Sequence, residues 1–252
     1  MSNAMLIDIT RCVGCGECTR ACIAANDLPE GDDTQLSCAR YTVVNEVGNP
    51  QASVRQLCMH CVEPTCVSAC LVGAFRKTAT GAVVYDEEKC IGCRYCMQAC
   101  PFSVPKYEWS SLAPRIKKCS FCHSRVSQGK LPACVEACPA GASVFGDRNE
   151  LIREAHHRIN ENPGEYVDHV YGEHEAGGTS VLFLSAVPFG LLGFPDNLPT
   201  EPIPRLSWKI LKEIPKYAVV SSLLLFGIHW ITARRAYVEK IEHRDSETEE
   251  LR

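Results

Sequence analysis

Cysteine spacing constrains this chain more than any other feature of its sequence. Sixteen of the seventeen cysteines form four groups of four, and every group begins with C-x2-C and ends with C-x3-C. In chain order the groups are Cys12, Cys15, Cys18 and Cys22 (group one); Cys58, Cys61, Cys66 and Cys70 (group two); Cys90, Cys93, Cys96 and Cys100 (group three); and Cys119, Cys122, Cys134 and Cys138 (group four). Such close spacing forces each group into a tight loop followed by a short helical turn.

This spacing is typical of iron–sulfur ligands. In such sites three thiolates wrap one cubane, and the fourth cysteine of the run points away to another cluster. Zinc sites use C-x2-C pairs or Cys/His mixtures and do not require four runs that end in C-x3-C. A disulfide framework suits small secreted domains, and an odd cysteine count would pair poorly. Sixteen ligands at four per cubane predict four 4Fe–4S clusters, with Cys38 left as a free thiol.

The four groups also predict two modules. Residues 58–100 hold group two, a β-hairpin signal with its turn at Thr80-Gly81, and group three, which is the order of a complete two-cluster ferredoxin. Strand-like runs at Met5–Ile9 and Gly141–Asp147 flank groups one and four in the same way. The predicted fold class is therefore α+β, with two interlocked bacterial ferredoxin-like modules and a C-terminal transmembrane helix. Residues 5–57 and 101–148 form the split module, and 58–100 form the inserted module.

Because the fourth cysteine of each group is expected to bind the neighbouring cluster, the sequence predicts which thiols share a cluster. Each cluster takes three cysteines from one group and the fourth cysteine of the other group in the same module. The predicted sets are Cys12, Cys15, Cys18 and Cys138; Cys119, Cys122, Cys134 and Cys22; Cys58, Cys61, Cys66 and Cys100; and Cys90, Cys93, Cys96 and Cys70. Four self-contained groups are the alternative, in which a Cys22 substitution damages the group-one cluster instead of the group-four cluster.

Other segments carry weaker signals. A hairpin with its turn at Gly48-Asn49-Pro50 is predicted within residues 30–57. The extension at 149–204 is predicted to start with a helix over 149–161, continue with a strand at Ser180–Leu184 and end in a proline-rich connector. No nucleotide-binding loop, catalytic triad or paired-carboxylate signature is recognisable in the sequence.

One segment predicts a membrane anchor at residues 205–236. Tyr217–Ala233 is a run of 17 residues without Asp, Glu, Lys or Arg, and a span needs about 17–25 residues. The run is apolar on all sides, which favours a single span over a buried or partner-facing helix. An acidic tail follows at 237–252. No signal-peptide pattern occurs in Met1–Thr10, so any export is expected to depend on a partner.

These features resemble the four-cluster electron-transfer (beta) subunits of membrane-bound nickel–iron hydrogenases, formate dehydrogenases and dimethyl-sulfoxide-reductase-type complexes. The stretches that carry the resemblance are Cys90–Phe102, Lys118–Cys122, Pro132–Ala142, His169–Glu173 and Gly177–Phe189. The last stretch is most similar to the hydrogenase-associated branch. Cys93 stands where nitrate-reductase-type relatives carry tryptophan, so the resemblance implies a complete cubane at that position.

The resemblance implies a relay that moves single electrons and catalyses no substrate chemistry. The implied route enters at the cluster of Cys12, Cys15, Cys18 and Cys138 and leaves at that of Cys90, Cys93, Cys96 and Cys70. Implied partners are a catalytic redox subunit (nickel–iron hydrogenase or molybdenum/tungsten formate-dehydrogenase type), an integral membrane quinone- or haem-bearing subunit, and membrane lipid. The formal charge of −4 gives no case for nucleic acid. The implied location is the cell membrane, single-pass, with the cluster domain on the extracytoplasmic face.

Two other functions and several single residues are left open by the sequence. A stand-alone soluble polyferredoxin lacks a membrane anchor, and a zinc-bound scaffold would be colourless. His60 either tunes its cluster or faces solvent. The basic residues Arg94, Lys106, Lys117 and Lys118 either raise a cluster potential or are ordinary surface charges. His229, inside the expected span, is interpreted as an interfacial or packing residue.

Overall fold

The computed structural model describes residues 2–31, 34–48, 51–111 and 114–250, with side chains as far as Ile241. It divides into two compact units, Met1–Pro204 and Arg205–Arg252. The strands are β1 (Asn3–Asp8), β2 (Thr42–Gly48), β3 (Gln51–Leu57), β4 (Phe75–Lys77), β5 (Val83–Tyr85), β6 (Lys106–Tyr107), β7 (Ile116–Lys117), β8 (Ser143–Asp147) and β9 (Val181–Leu184). The α-helices are α1 (Glu17–Ala25), α2 (Thr65–Ser68), α3 (Tyr95–Ala99), α4 (His123–Val126), α5 (Ala133–Glu136), α6 (Arg148–Glu161), α7 (Ile203–Leu211) and α8 (Ile214–Glu250).

A three-stranded sheet in the order β8–β1–β9 organises the first unit. Met5 on β1 lies opposite Phe145 on the antiparallel β8 and opposite Val181 on the parallel β9. Residues 4–8 of β1 are all buried, as expected of a central strand covered on both faces. The sheet therefore places the segment before group one beside the segment after group four.

Helix α6 covers one face of this sheet. The Asp147 side chain caps it by accepting a hydrogen bond from Asn149 N at 2.9 Å, which satisfies a backbone donor of the first turn. Leu151, Ala155 and Ile159 recur every fourth residue and pack in a buried cluster with residues of β1 and β9. The predictions of a helix over 149–161 and of a strand at Ser180–Leu184 are confirmed.

Three hairpins complete the unit, and two of them were predicted. Strands β4 and β5 pair antiparallel around the Thr80-Gly81 turn. Gly81 has φ +89°, and a Cβ there would lie 2.5 Å from Asn3 O, so only glycine lets this turn approach β1. Strands β2 and β3 also pair as predicted; Asn49 and Pro50 of their turn lie outside the described residues. The β6–β7 pair was missed, because two-residue strands show no sequence alternation.

The second unit is helical. Within the described chain, one helical stretch, Ile203–Ile241, which takes in α7 and most of α8, is long and apolar enough to cross a membrane by length and composition. The predicted run Tyr217–Ala233 lies inside α8. Its apolar side chains are exposed, with Leu224 at 64% and Phe226 at 67%. A helix that is apolar on all faces and uncovered by its own chain is compatible with a lipid environment.

Candidate iron–sulfur sites

Two cavities of the split module are each lined by four cysteines from distant segments of the chain. The lining cysteines are Cys12, Cys15, Cys18 and Cys138 in one cavity, and Cys22, Cys119, Cys122 and Cys134 in the other. Each combines three cysteines of one group with the fourth cysteine of the other.

The cysteines of residues 58–100 come together in the same crossed manner. Cys61 has Cys58, Cys100 and Cys66 as its electrostatic neighbours among the thiols. Cys96 has Cys93, Cys90 and Cys70 as its neighbours. The fourth cysteine of each group thus lies beside the first three cysteines of the other group.

The four cysteine sets follow one another in a row. Cys18 neighbours Cys134, Cys119 neighbours Cys58, and Cys66 neighbours Cys96, so each of these pairs joins adjacent sets. Cys15 in the first set and Cys93 in the last are exposed. The buried cysteines are Cys22, Cys134, Cys58 and Cys66 in the two middle sets and Cys96 in the last set. The row therefore has an accessible thiol in the set at each end and a shielded middle.

Backbone N–H groups point at several of the sulfurs. Phe121 N donates to Cys119 Sγ at 3.3 Å, Gly92 N donates to Cys90 Sγ at 3.4 Å, and Ala74 N donates to Cys70 Sγ at 3.2 Å. Phe121 and Gly92 have positive φ angles of 60° and 70°, which turn the chain around the preceding cysteine. Donors aimed at sulfur stabilise thiolate, the form that binds iron.

Burial makes these thiols poor anions in the absence of a cation. It raises the pKa of Cys22, Cys66 and Cys96 to about 12 in each case, helped by the neighbouring cysteines. Groups of buried thiolates are stable only if positive charge offsets their desolvation and mutual repulsion. Iron supplies that charge, so the donor sets fit iron–sulfur clusters.

The cysteine sets differ from a preformed site for a single ion. In the ranges that the structure describes, no three Cys, His, Asp or Glu side chains converge closely enough to hold one metal ion. The cysteines of the split module instead surround cavities.

His60 is completely buried, which rules out the alternative that it faces solvent. Its ring lies 4.5 Å from that of Phe121, and its Nδ1 accepts a hydrogen bond from Val83 N at 2.9 Å. Burial, with nearby Lys118 and Lys77, lowers the pKa of His60 well below its usual value. The neutral ring therefore carries its proton on Nε2, for which the described part of the chain offers no acceptor. An orphaned buried donor beside the group-two loop fits a cluster sulfur as its partner.

The basic residues expected near the clusters differ in their surroundings. Lys118 is buried and its ammonium donates to Cys119 O at 2.8 Å. Lys117 pairs with Glu87, and Arg94 lies over the Tyr107 ring at 5.6 Å, so both have partners within the protein. Lys106 is half-buried. Of the four, Lys118 has the position best suited to influence a cluster.

Two cations, the half-buried Lys77 and the buried Arg55, were missed by the sequence analysis. Lys77 donates to the backbone oxygens of His60 and Cys61 at 2.8 and 2.7 Å, and burial lowers its pKa to about 8. Arg55 on β3 lines both cysteine cavities of the split module. Lys77 lies in the predicted strand that follows group two, so the sequence could have indicated that it is near that group. No sequence signal marks Arg55, because only tertiary packing brings β3 between the two cavities.

Comparison with known proteins places the chain among ferredoxin-type proteins. The profile of the 4Fe–4S dicluster domain family matches residues 52–148. The chain is 42% identical over 97% of its length to a protein of Nitratidesulfovibrio vulgaris Hildenborough, covering 70% of that protein. It is 39% identical over 79% of its length to the hydrogenase-2 operon protein HybA of Escherichia coli O157:H7, covering 75% of it. It is 31% identical over 98% of its length to the formate dehydrogenase iron–sulfur subunit of Haemophilus influenzae Rd, covering 86% of it.

Proposed function

Since this chain belongs to the family of 4Fe–4S electron-transfer subunits that includes the relatives found in hydrogenase and formate dehydrogenase complexes, we propose that it links a catalytic redox subunit to a membrane subunit. Its clusters supply one-electron oxidation and reduction. The proposed membrane partner is an integral subunit that carries quinone or haem. The observation that carries the proposal is the row of four cysteine sets with exposed thiols in the two end sets.

We assign the ligands as the crossed sets, with the cavity linings as support. In this arrangement the chain contributes more than sulfur. It excludes water from the middle sets, because Cys22 and Cys58 are 6% and 8% exposed. It also aims backbone donors at the sulfurs, as at Cys119 and Cys90. A dry, polar-lined site of this kind tunes cluster potentials.

The exposed cysteines at the two ends give the proposed partners separate docking points. Cys15 lies beside Val13, which is 69% exposed, and Cys93 lies beside Ile91 and Tyr95, which are 64% and 56% exposed. Exposed apolar residues next to a ligand are suited to a protein interface. We assign the end at Cys15 to the catalytic subunit and the end at Cys93 to the membrane subunit.

The helix α8 anchors the chain in the membrane in this proposal. Its apolar length and its exposure support a single span. We place the cluster domain on the extracytoplasmic side, exported together with a partner. Membrane attachment separates this function from that of a stand-alone soluble polyferredoxin.

The test is the metal content of the native complex, purified anaerobically from membranes in mild detergent. We expect roughly sixteen irons per chain from four clusters and nickel in the co-purifying catalytic subunit. Molybdenum or tungsten in place of nickel would assign the chain to a formate-dehydrogenase-type complex. Recovery of the chain in the soluble fraction without a partner would overturn the proposal.

A further inference from the structure

Arg55 is the buried cation that lies between the two cysteine sets of the split module. It is 3% exposed and lines the cavity of Cys12, Cys15, Cys18 and Cys138 as well as the cavity of Cys22, Cys119, Cys122 and Cys134. Among the thiols, those of Cys134 and Cys18 interact most strongly with its guanidinium. These two cysteines belong to different sets, so one side chain faces both.

Three strands hold the guanidinium in place. Nε donates to Thr42 Oγ1 on β2 at 2.9 Å, and Nη1 donates to Ser143 Oγ on β8 at 3.2 Å. Nη1 also lies 3.8 Å from Met5 Sδ on β1. Because Arg55 contacts β2, β8 and β1, the fold fixes the position of its charge.

These contacts leave the charge of Arg55 without a counter-ion. Its side-chain partners are neutral, and no described carboxylate pairs with it. Its Nη2 also has no hydrogen-bond partner among the described residues. A buried cation without an opposite charge costs several kcal/mol, and a guanidinium cannot escape by losing its proton. With clusters bound, the thiolates of the two adjacent cysteine sets would supply the missing negative charge.

We propose that Arg55 is a shared cationic partner of the two split-module clusters, which holds both reduction potentials up and close to each other. Each reduction adds one negative charge to a cluster, and a fixed cation nearby favours that change. Because the guanidinium is buried, solvent ions screen it little. Its fork of donors lets it serve two acceptors at once. The inference rests on the proposed function, since it requires clusters in both cavities.

The consequence is that electron transfer between the two split-module clusters changes the free energy little, because their reduction potentials are similar. A cation that faced only one set would favour reduction of that cluster alone and would trap the electron there. A cation between the two sets favours both reductions and offsets the repulsion between neighbouring reduced clusters. Arg55 is thus a positioning and tuning residue for the pair, acting through charge and hydrogen bonding.

The test is the Arg55→Gln substitution in the full-length chain, followed by redox titration monitored by electron paramagnetic resonance. We expect the reduction equilibria of the two split-module clusters to fall on the order of tenfold, which is 59 mV for a one-electron couple. The two clusters of the inserted module should keep their potentials. Unchanged potentials for the split-module pair, or an equal shift of all four clusters, would overturn the inference.

The matched control is Arg40→Gln. Arg40 is equally buried, at 2% exposure, and donates to the backbone oxygens of Pro29, Ala39 and Gly31. It lines neither cysteine cavity. Loss of a buried arginine therefore affects folding in both variants, while only Arg55→Gln should change cluster potentials. A similar shift in Arg40→Gln would show that the effect is structural and not local to Arg55.

A second variant decides the matter if Arg55→Gln does not assemble. Lys keeps the positive charge but has one compact ammonium in place of the fork, so Arg55→Lys should lower both split-module potentials by less than the tenfold change in equilibrium expected for Arg55→Gln. A shift of the inserted-module potentials as large as that of the split-module pair in Arg55→Lys would contradict the shared role. Iron content separates this inference from the function on which it rests. A wild-type chain with about sixteen irons and unshifted variants refutes the inference alone, whereas a wild-type chain without iron refutes the proposed function.

Discussion

At the scale of single residues, Cys22 separates the two possible ligand arrangements. Cys22 is the last cysteine of group one and follows Cys18 in helix α1. It nevertheless lines the same cavity as Cys119 and Cys122. Its sulfur is also within 3.5 Å of Asn26 Nδ2. The residue is thus close in sequence to one set and close in space to another.

We predict that Cys22→Ser damages the same cluster as Cys122→Ser. Serine is a weaker iron ligand than thiolate, so the affected cluster should be lost or reduced in iron. The chain should then retain about twelve of its roughly sixteen irons. Electron paramagnetic resonance checks the assignment, because the signal missing from Cys22→Ser should be the one missing from Cys122→Ser. Loss of the signal missing from Cys15→Ser instead would support self-contained groups.

At the scale of secondary-structure elements, α6 and α8 show that the distribution of apolar residues around a helix determines its environment. Helix α6 has an apolar stripe and a polar face, and its Leu151, Ala155 and Ile159 pack against the sheet. Helix α8 is apolar on every side between Tyr217 and Ala233 and leaves its leucines exposed. A stripe needs one protein surface to cover it, whereas an all-round apolar helix needs lipid or several neighbours.

We predict that the double substitution Leu224→Lys and Leu225→Lys detaches the chain from membranes when it is expressed without its partners. A lysine at the centre of a span costs about 2.5–3.5 kcal/mol on an insertion scale, so two of them offset much of the apolar gain. Membrane fractionation checks the result. The control is Leu191→Lys, an equally exposed leucine in the first unit at 61%. Persistence of the double variant in carbonate-washed membranes would argue against the span.

At the scale of the whole molecule, the cysteines are part of the hydrophobic core. Cys134 belongs to the buried cluster around Phe121 and Phe183, and Cys66 and Cys96 belong to the cluster around Phe75. The iron–sulfur groups and the protein core therefore occupy the same region. Binding free energy in such sites is folding free energy.

We predict that removal of iron by a chelator unfolds the first unit. Typical domains are stable by only about 5–15 kcal/mol, which the loss of four core groups exceeds. Near-ultraviolet circular dichroism should lose its signal, and amides of β1 and β8 should exchange rapidly. Anaerobic protein without chelator is the control. Slow amide exchange in β1 of the iron-free chain would show that the protein core folds by itself.

The sequence by itself determined the chemistry and much of the local structure. Cysteine spacing predicted the cofactor, and turn and periodicity signals predicted the hairpin of β4 and β5, the helix α6 and the apolar run in α8. These features depend on residues close together in the chain, so a short window contains the physical cause. The crossed ligand sets and the splitting of one module by the other follow from the order of the groups, and both stay predictions.

Only the tertiary structure decided which polar side chains lie beside the cysteine sets. The parallel pairing of β9 with β1, the burial of His60 and the position of Arg55 between two cavities all join segments far apart in sequence. Arg55 contacts Ser143, which lies 88 positions away. Burial and electrostatic potential are sums over everything packed around a group. They exist only once the chain has folded, and no local pattern in the sequence carries them.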